Sequence, residues 1–153
     1  MFDYTSTKTF DIVSKIIKLT NIEFTHLYES LYLRPLKEVK FQSYLTTNLK
    51  VTENGFGYIV ATEEMLKEFD VDAATARNMV NNFYYINEIV SWAVFTIDGK
   101  SENIRGSIRS RGPIINEVAT MFNGGGHKFA SGVRLKEMED IDKIVKELDK
   151  VCE

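Results

Sequence analysis

Along the first third of the chain, apolar positions recur at spacings of three and four. Phe10, Ile12, Val13, Ile16 and Ile17 give one apolar face to a helix expected over 9–19, with Ser6 or Thr7 placed to cap it. Phe24, Leu27, Tyr28 and Leu31 repeat that spacing in a second helix. Pro35 interrupts it, and a third helix is expected from there through Val39, Leu45 and Leu49. From Leu49 the pattern changes. Residues 49–52 and 56–60 read as two strands joined through Asn54-Gly55, a strong hairpin signal. Thr62 and Asp72 stand where caps belong, before short helices over 63–69 and 73–83. The run from Ile89 to Ile97 is a buried strand. Asp98-Gly99-Lys100 turns the chain into a second strand over 103–110. Helices are expected over 114–122 and 140–151. Between them, a glycine loop leads to a helical turn and an edge strand ending at Leu135.

This order predicts an α+β fold, a mixed β-sheet with flanking helices, preceded by an N-terminal helical linker. The first 48 residues carry apolar helix faces but no strand for them to cover. Such a beginning reads as a connector or the tail of a preceding domain.

Composition narrows the function classes. At 153 residues and 44% hydrophobic, the chain has enough material for a packed core. A formal net charge of -3 argues against a non-specific duplex DNA binder or a membrane binder, which are usually basic. Any anion site is therefore local. The one cysteine, Cys152, can form no disulfide within the chain, which fits a reducing cytoplasm. No apolar run approaches the ~18 residues of a membrane span.

Two stretches carry candidate chemistry. In 103–110, Ile104, Gly106 and Ile108 take one strand face and Arg105, Ser107 and Arg109 the other, with Arg111 just beyond. Guanidinium forks match phosphate oxygens bidentately, although arginine and serine are also common on solvated sheet faces. The second stretch is Asn123-Gly124-Gly125-Gly126-His127-Lys128-Phe129-Ala130-Ser131-Gly132, which holds four of the nine glycines. Bare amides beside an imidazole and an ammonium suit a phosphate, while a simple turn is the plainer alternative. His26 and His127 are the two histidines, and no His/Cys/Asp spacing marks a metal site. Tyr84, Tyr85 and Phe129 suit either core packing or stacking on a base.

The strand Ser107-Ile108-Arg109-Ser110 followed by Gly124-Gly125-Gly126-His127 and Ala130-Ser131-Gly132 resembles the C-terminal, DHH-associated substrate-binding domain of the DHH phosphoesterase family. It is most similar to the bacterial oligoribonuclease/pAp-phosphatase branch (nanoRNases). Upstream, 5–10 looks like the exit from a catalytic domain, and His26-Leu27-Tyr28-Glu29-Ser30-Leu31-Tyr32 looks like a linker helix. Asn123 and Ser131 depart from the family's more frequent glycine and alanine.

The resemblance implies that residues 1–35 are the tail and linker of an absent catalytic domain, and 36–153 the substrate-binding domain. It implies a cytoplasmic hydrolase of short oligoribonucleotides or pAp. The Asp-His-His motif and the manganese it holds would lie in the absent half, so this chain alone would be inactive and bind no cofactor. Arg109 and His127 are then expected on the substrate phosphate. Gly124, Gly125 and Gly126 would provide amides and clearance, and Ser107, Arg111 and Lys128 would stand nearby. Expected partners are short single-stranded RNA or a nucleotide and the chain's own catalytic domain. A homodimer stays open, as do a free-standing regulatory module, the substrate domain of a cyclic dinucleotide phosphodiesterase or of a single-strand exonuclease, and a dimerisation unit.

Overall fold

The computed structural model describes residues 5–20, 22–97 and 103–153. The expected turn at 98–100 lies outside them. The chain divides into two compact units, Met1–Pro35 and Leu36–Glu153.

The first unit holds α1 (Thr7–Thr20) and α2 (Phe24–Tyr32). Ser6 and Thr9 cap α1 reciprocally: the Ser6 N–H donates to Thr9 Oγ1 at 3.1 Å and the Thr9 N–H to Ser6 Oγ at 3.4 Å. Neither helix has a buried residue, and Val13, Ile16, Leu27 and Leu31 are exposed.

The second unit begins with α3 (Leu36–Thr47), whose Phe41 and Leu45, one turn apart, are fully buried. The strands β1 (Lys50–Val51) and β2 (Phe56–Ala61) follow as an antiparallel pair. The short helices α4 (Glu63–Glu68) and α5 (Ala73–Asn78) are capped as their sequences predict. Thr62 Oγ1 accepts from the Met65 N–H, and Asp72 Oδ1 accepts from Ala74 and Thr75 at 2.8 and 2.9 Å. The helix expected to run to residue 83 tightens instead into a 3₁₀ helix, Met79–Tyr85. The tighter winding eclipses Val80 and Phe83 so that both face the core. It also lets the Val80 carbonyl accept the Trp92 indole N–H at 2.6 Å.

Two long strands follow, β3 (Ser91–Thr96), buried throughout, and β4 (Ile104–Ser110), whose burial alternates as its sequence does. Then come α6 (Asn116–Met121), β5 (Gly125–His127), β6 (Ala130–Leu135) and α7 (Met138–Lys150). The strand order is β1-β2-β3-β4-β6-β5; β2 and β3 are parallel and every other pair is antiparallel. This is the expected mixed sheet, with one correction. The glycine segment is the edge strand, and β6 lies inside the sheet with no helical turn before it. Pairing satisfies the backbone groups that a loop would leave to water.

The sheet's two faces are covered unequally. On one, Ala93, Phe95, Ile108 and Val133 pack with Val118 and Ala119 of α6 and with Ile141, Ile144 and Leu148 of α7. On the other, Ile59, Ala61, Trp92 and Val94 of β2 and β3 pack under α3, α4, α5 and the 3₁₀ helix. That cover stops at β4.

Candidate functional site

Beyond the edge of the helical cover, side chains stand in rows fixed by the strand register, because residues directly opposite in antiparallel strands share a face. Arg109 of β4 is opposite Ala130 of β6, which is opposite His127 of β5. Arg109 and His127 therefore flank a small alanine on one face, two strand spacings or roughly 10 Å apart at the backbone. The next row is Ser107, Gly132 and Gly125, and the third is Arg105 and Arg134.

Arg109 is half-buried and has no acidic partner among the described residues. Its Nε–H donates to Asn81 Oδ1 at 3.3 Å and Nη1 to the Ile108 carbonyl at 2.9 Å. Burial pulls its pKa below the ordinary guanidinium value. Of the five N–H donors of a guanidinium, these bonds use two and leave three. A cation taken from water without a counter-charge is costly, and an incoming anion would offset that cost.

The hairpin that carries His127 is held by its glycines. A Cβ on Gly124 would lie 2.1 Å from the Gly132 carbonyl oxygen and 2.8 Å from that of Ala119. Gly126 has φ +141°, and a Cβ there would meet the Ala130 oxygen at 2.5 Å. Asn123, at φ +54°, occupies the left-handed region that asparagine tolerates better than most side chains. Lys128 and Phe129 form the two-residue turn between β5 and β6. Their carbonyls accept from Ile115 and Ser110 at 2.9 and 3.0 Å, which ties the turn to the end of β4 and the start of α6.

The structure changes two expectations. Arg111 does not present its fork to the open face. Nη1 donates to the Tyr84 carbonyl at 3.0 Å, Nη2 to that of Ile86 at 2.7 Å and also to that of Ile89. Its guanidinium lies 5.8 and 5.7 Å from the Tyr84 and Trp92 ring centres, so Arg111 staples the 3₁₀ helix to β3. The amide of Gly124, expected to be free for a ligand, donates to the Ala119 carbonyl at 2.9 Å. Lys128, Phe129 and Tyr85 are exposed, whereas Tyr84 packs edge-on to Trp92.

A cavity of about 400 Å³ opens beside the Arg109–His127 row. Ser107, Gly124 and Gly125 line it, as do Arg77, Arg105 and Arg134, which sequence reasoning did not assign to a site. The alternation of β4 already places Arg105 on the face of Arg109. Arg134 and Arg77 reach it through tertiary pairing. No acidic side chain among the described residues lines this cavity. Among the described residues every ion pair uses a lysine or His26, and none uses an arginine.

Comparison with known proteins meets this geometry at the same segment. The DHHA1 domain family matches residues 55–153. The chain belongs to that family. The bifunctional oligoribonuclease and PAP phosphatase NrnA of Bacillus subtilis (strain 168) is 30% identical over 152 residues, 99% of this chain and 48% of that protein. An exopolyphosphatase-related protein from Bacteroides fragilis superposes with a TM-score of 0.84 at 25% identity, over 97% of this chain and 45% of its own. The pGpG-specific phosphodiesterase PggH of Vibrio cholerae shares the DHHA1 fold, with a TM-score of 0.55 at 19% identity over 76% of this chain and 38% of its own. The chain spans about half the length of the curated relatives it matches.

No group of three or more His, Cys, Asp or Glu side chains able to hold a metal ion occurs among the described residues. Nor, among those residues, is any helix long and apolar enough to cross a membrane.

Proposed function

We propose that this chain is the substrate-binding half of a cytoplasmic phosphoesterase that hydrolyses short oligoribonucleotides and nucleoside bisphosphates such as pAp. It grips the terminal phosphate and nucleotide. Bond cleavage belongs to a separate catalytic domain that carries manganese, for which residues 1–35 supply the tail and linker. The exposed apolar faces of α1 and α2 support such an attachment. The names of the relatives support the substrate class.

The observation that carries the reading is Arg109. It is a partly desolvated guanidinium with spare donors and, among the described residues, no acidic partner, in one row with the exposed His127 across a single methyl group. The terminal phosphate would enter between them. The Arg109 fork takes two oxygens, the imidazole donates from the other side, and Ser107 offers a hydroxyl one row away. Phe129, exposed beside His127, gives the terminal base a stacking surface.

Titrating the chain with a short 5′-phosphorylated RNA tests this. Each charged hydrogen bond is worth about 1.5–3 kcal/mol, so Arg109→Ala should weaken binding roughly 10- to 100-fold. The circular dichroism spectrum should not change. Equal affinities of variant and wild type would remove Arg109 from the site.

A further inference from the structure

The 400 Å³ cavity has a chemistry of its own. Arg105 and Arg134 are directly opposite on β4 and β6, a like-charge pairing that destabilises a sheet. Arg77 joins them from α5. Its Nη1 donates at 2.9 Å to Oγ1 of the buried Thr96, and Thr96 is the residue opposite Arg105 on β3. The row Thr96, Arg105, Arg134 therefore gathers three guanidinium groups, and among the described residues no carboxylate lines the cavity to balance them.

The surface between this row and the Arg109–His127 row carries only small side chains. Ser107, Gly132 and Gly125 form the row between, and a Cβ on Gly125 would meet nothing within 4 Å. Arg105 and Arg109 are four residues apart on one strand, roughly 14 Å at about 3.4 Å per residue. A single phosphate cannot bridge that distance, but a strand carrying several can lie along it.

We propose that Arg77, Arg105 and Arg134 form a second anion site that takes a downstream phosphate of the same bound strand. This rests on the reading that Arg109 and His127 hold the terminal phosphate, and it refines that site's substrate class. The open face measures a stretch of backbone and so favours an oligonucleotide over a mononucleotide. Ser107 and the glycines leave the sugar-phosphate chain room to pass.

The 153-residue chain is titrated with AMP, which has one phosphate, and with the trinucleotide pApApA, which has three. Arg105→Gln and Arg134→Gln should each weaken pApApA about tenfold and leave AMP within about twofold. Each should also reduce the salt dependence of pApApA binding by about 0.7 in log–log slope. Neither should lower the thermal midpoint, because both relieve a like-charge pair. Unchanged pApApA affinity in both variants overturns the second site, as does an equal loss for AMP. The terminal site is judged separately: Arg109→Ala must weaken AMP, and if it does not, that reading fails. A wild-type chain that binds neither probe overturns both.

Discussion

One sheet face serves two purposes, and the boundary lies between β3 and β4. Over β2 and β3 it carries Ile59, Ala61, Trp92 and Val94 beneath helices. Over β4, β6 and β5 it carries Arg105, Ser107, Arg109, Gly132, Arg134 and His127, outside that apolar cluster and met at β4 only by polar side chains such as Asn81 and Arg77. The opposite face is apolar under both regions, so the open half is still anchored by α6 and α7. A strand such as β4 can thus present charge on one side because its other side is secured by Ile104 and Ile108. Stability comes from the covered half and from the far face. Ligand affinity is assigned to side chains whose removal should cost the fold little.

That division can be broken most severely at Trp92. Its ring is 1% exposed, its indole bonds to the Val80 carbonyl, and the Arg111 guanidinium lies over it. Trp92→Ala should remove about 3–5 kcal/mol of stability in urea denaturation. A loss below about 1 kcal/mol would mean that the covered half is not the anchor described here.

A sharper comparison uses two neighbouring glycines. Gly124→Ala forces a methyl group against the Gly132 carbonyl and should destabilise the domain by about 1–3 kcal/mol. Gly125→Ala meets nothing within 4 Å and should stay within about 0.5 kcal/mol of wild type, yet weaken binding of pApApA. Equal stabilities for the two variants would show that the hairpin relaxes, and so that the close approach at Gly124 does not hold it.

The smallest effect is on the covered side, at the cap of α5. Hydrogen bonds from the Thr75 amide and hydroxyl, and from the Ala74 amide, hold the Asp72 carboxyl below its ordinary pKa. A depressed folded-state pKa gives stability above the unfolded value of about 3.9, lost as pH falls through the folded one. Asp72→Ala should cost about 1 kcal/mol at neutral pH. Asp72→Asn should keep most of the cap while flattening the acid limb below about pH 4, measured by thermal melts across that range. The Arg109–His127 row, which takes no side chain from α5, should not respond to either change, so altered AMP affinity in Asp72→Asn would show that the two halves are coupled.

Much of this was legible from residue order. The hairpin at Asn54-Gly55, the caps at Thr62 and Asp72 and the alternation of β4 are local features, each fixed by a few neighbouring residues. The glycine segment reads as a loop in the sequence because three consecutive residues without side chains carry no periodicity. Its strand character exists only through β6. The 3₁₀ turn at Met79–Tyr85 was equally invisible, since its winding answers to the core beneath it. Arg111 continues the alternation of β4 and so resembled a ligand-facing arginine. The carbonyls that claim it lie more than twenty residues away in sequence.

Sequence alone settled which residues alternate, where the capped helices α4 and α5 start, and that an arginine strand precedes a glycine-histidine segment. It could do so because those properties depend on neighbours a few residues apart. The tertiary structure decided which arginines meet. Strand order and register set Arg109 in one row with His127 and Arg105 against Arg134, and α5 brought Arg77 to them over β3. Long-range pairing selects one partner among many chemically equal ones, and that choice is made by the packing of the whole core.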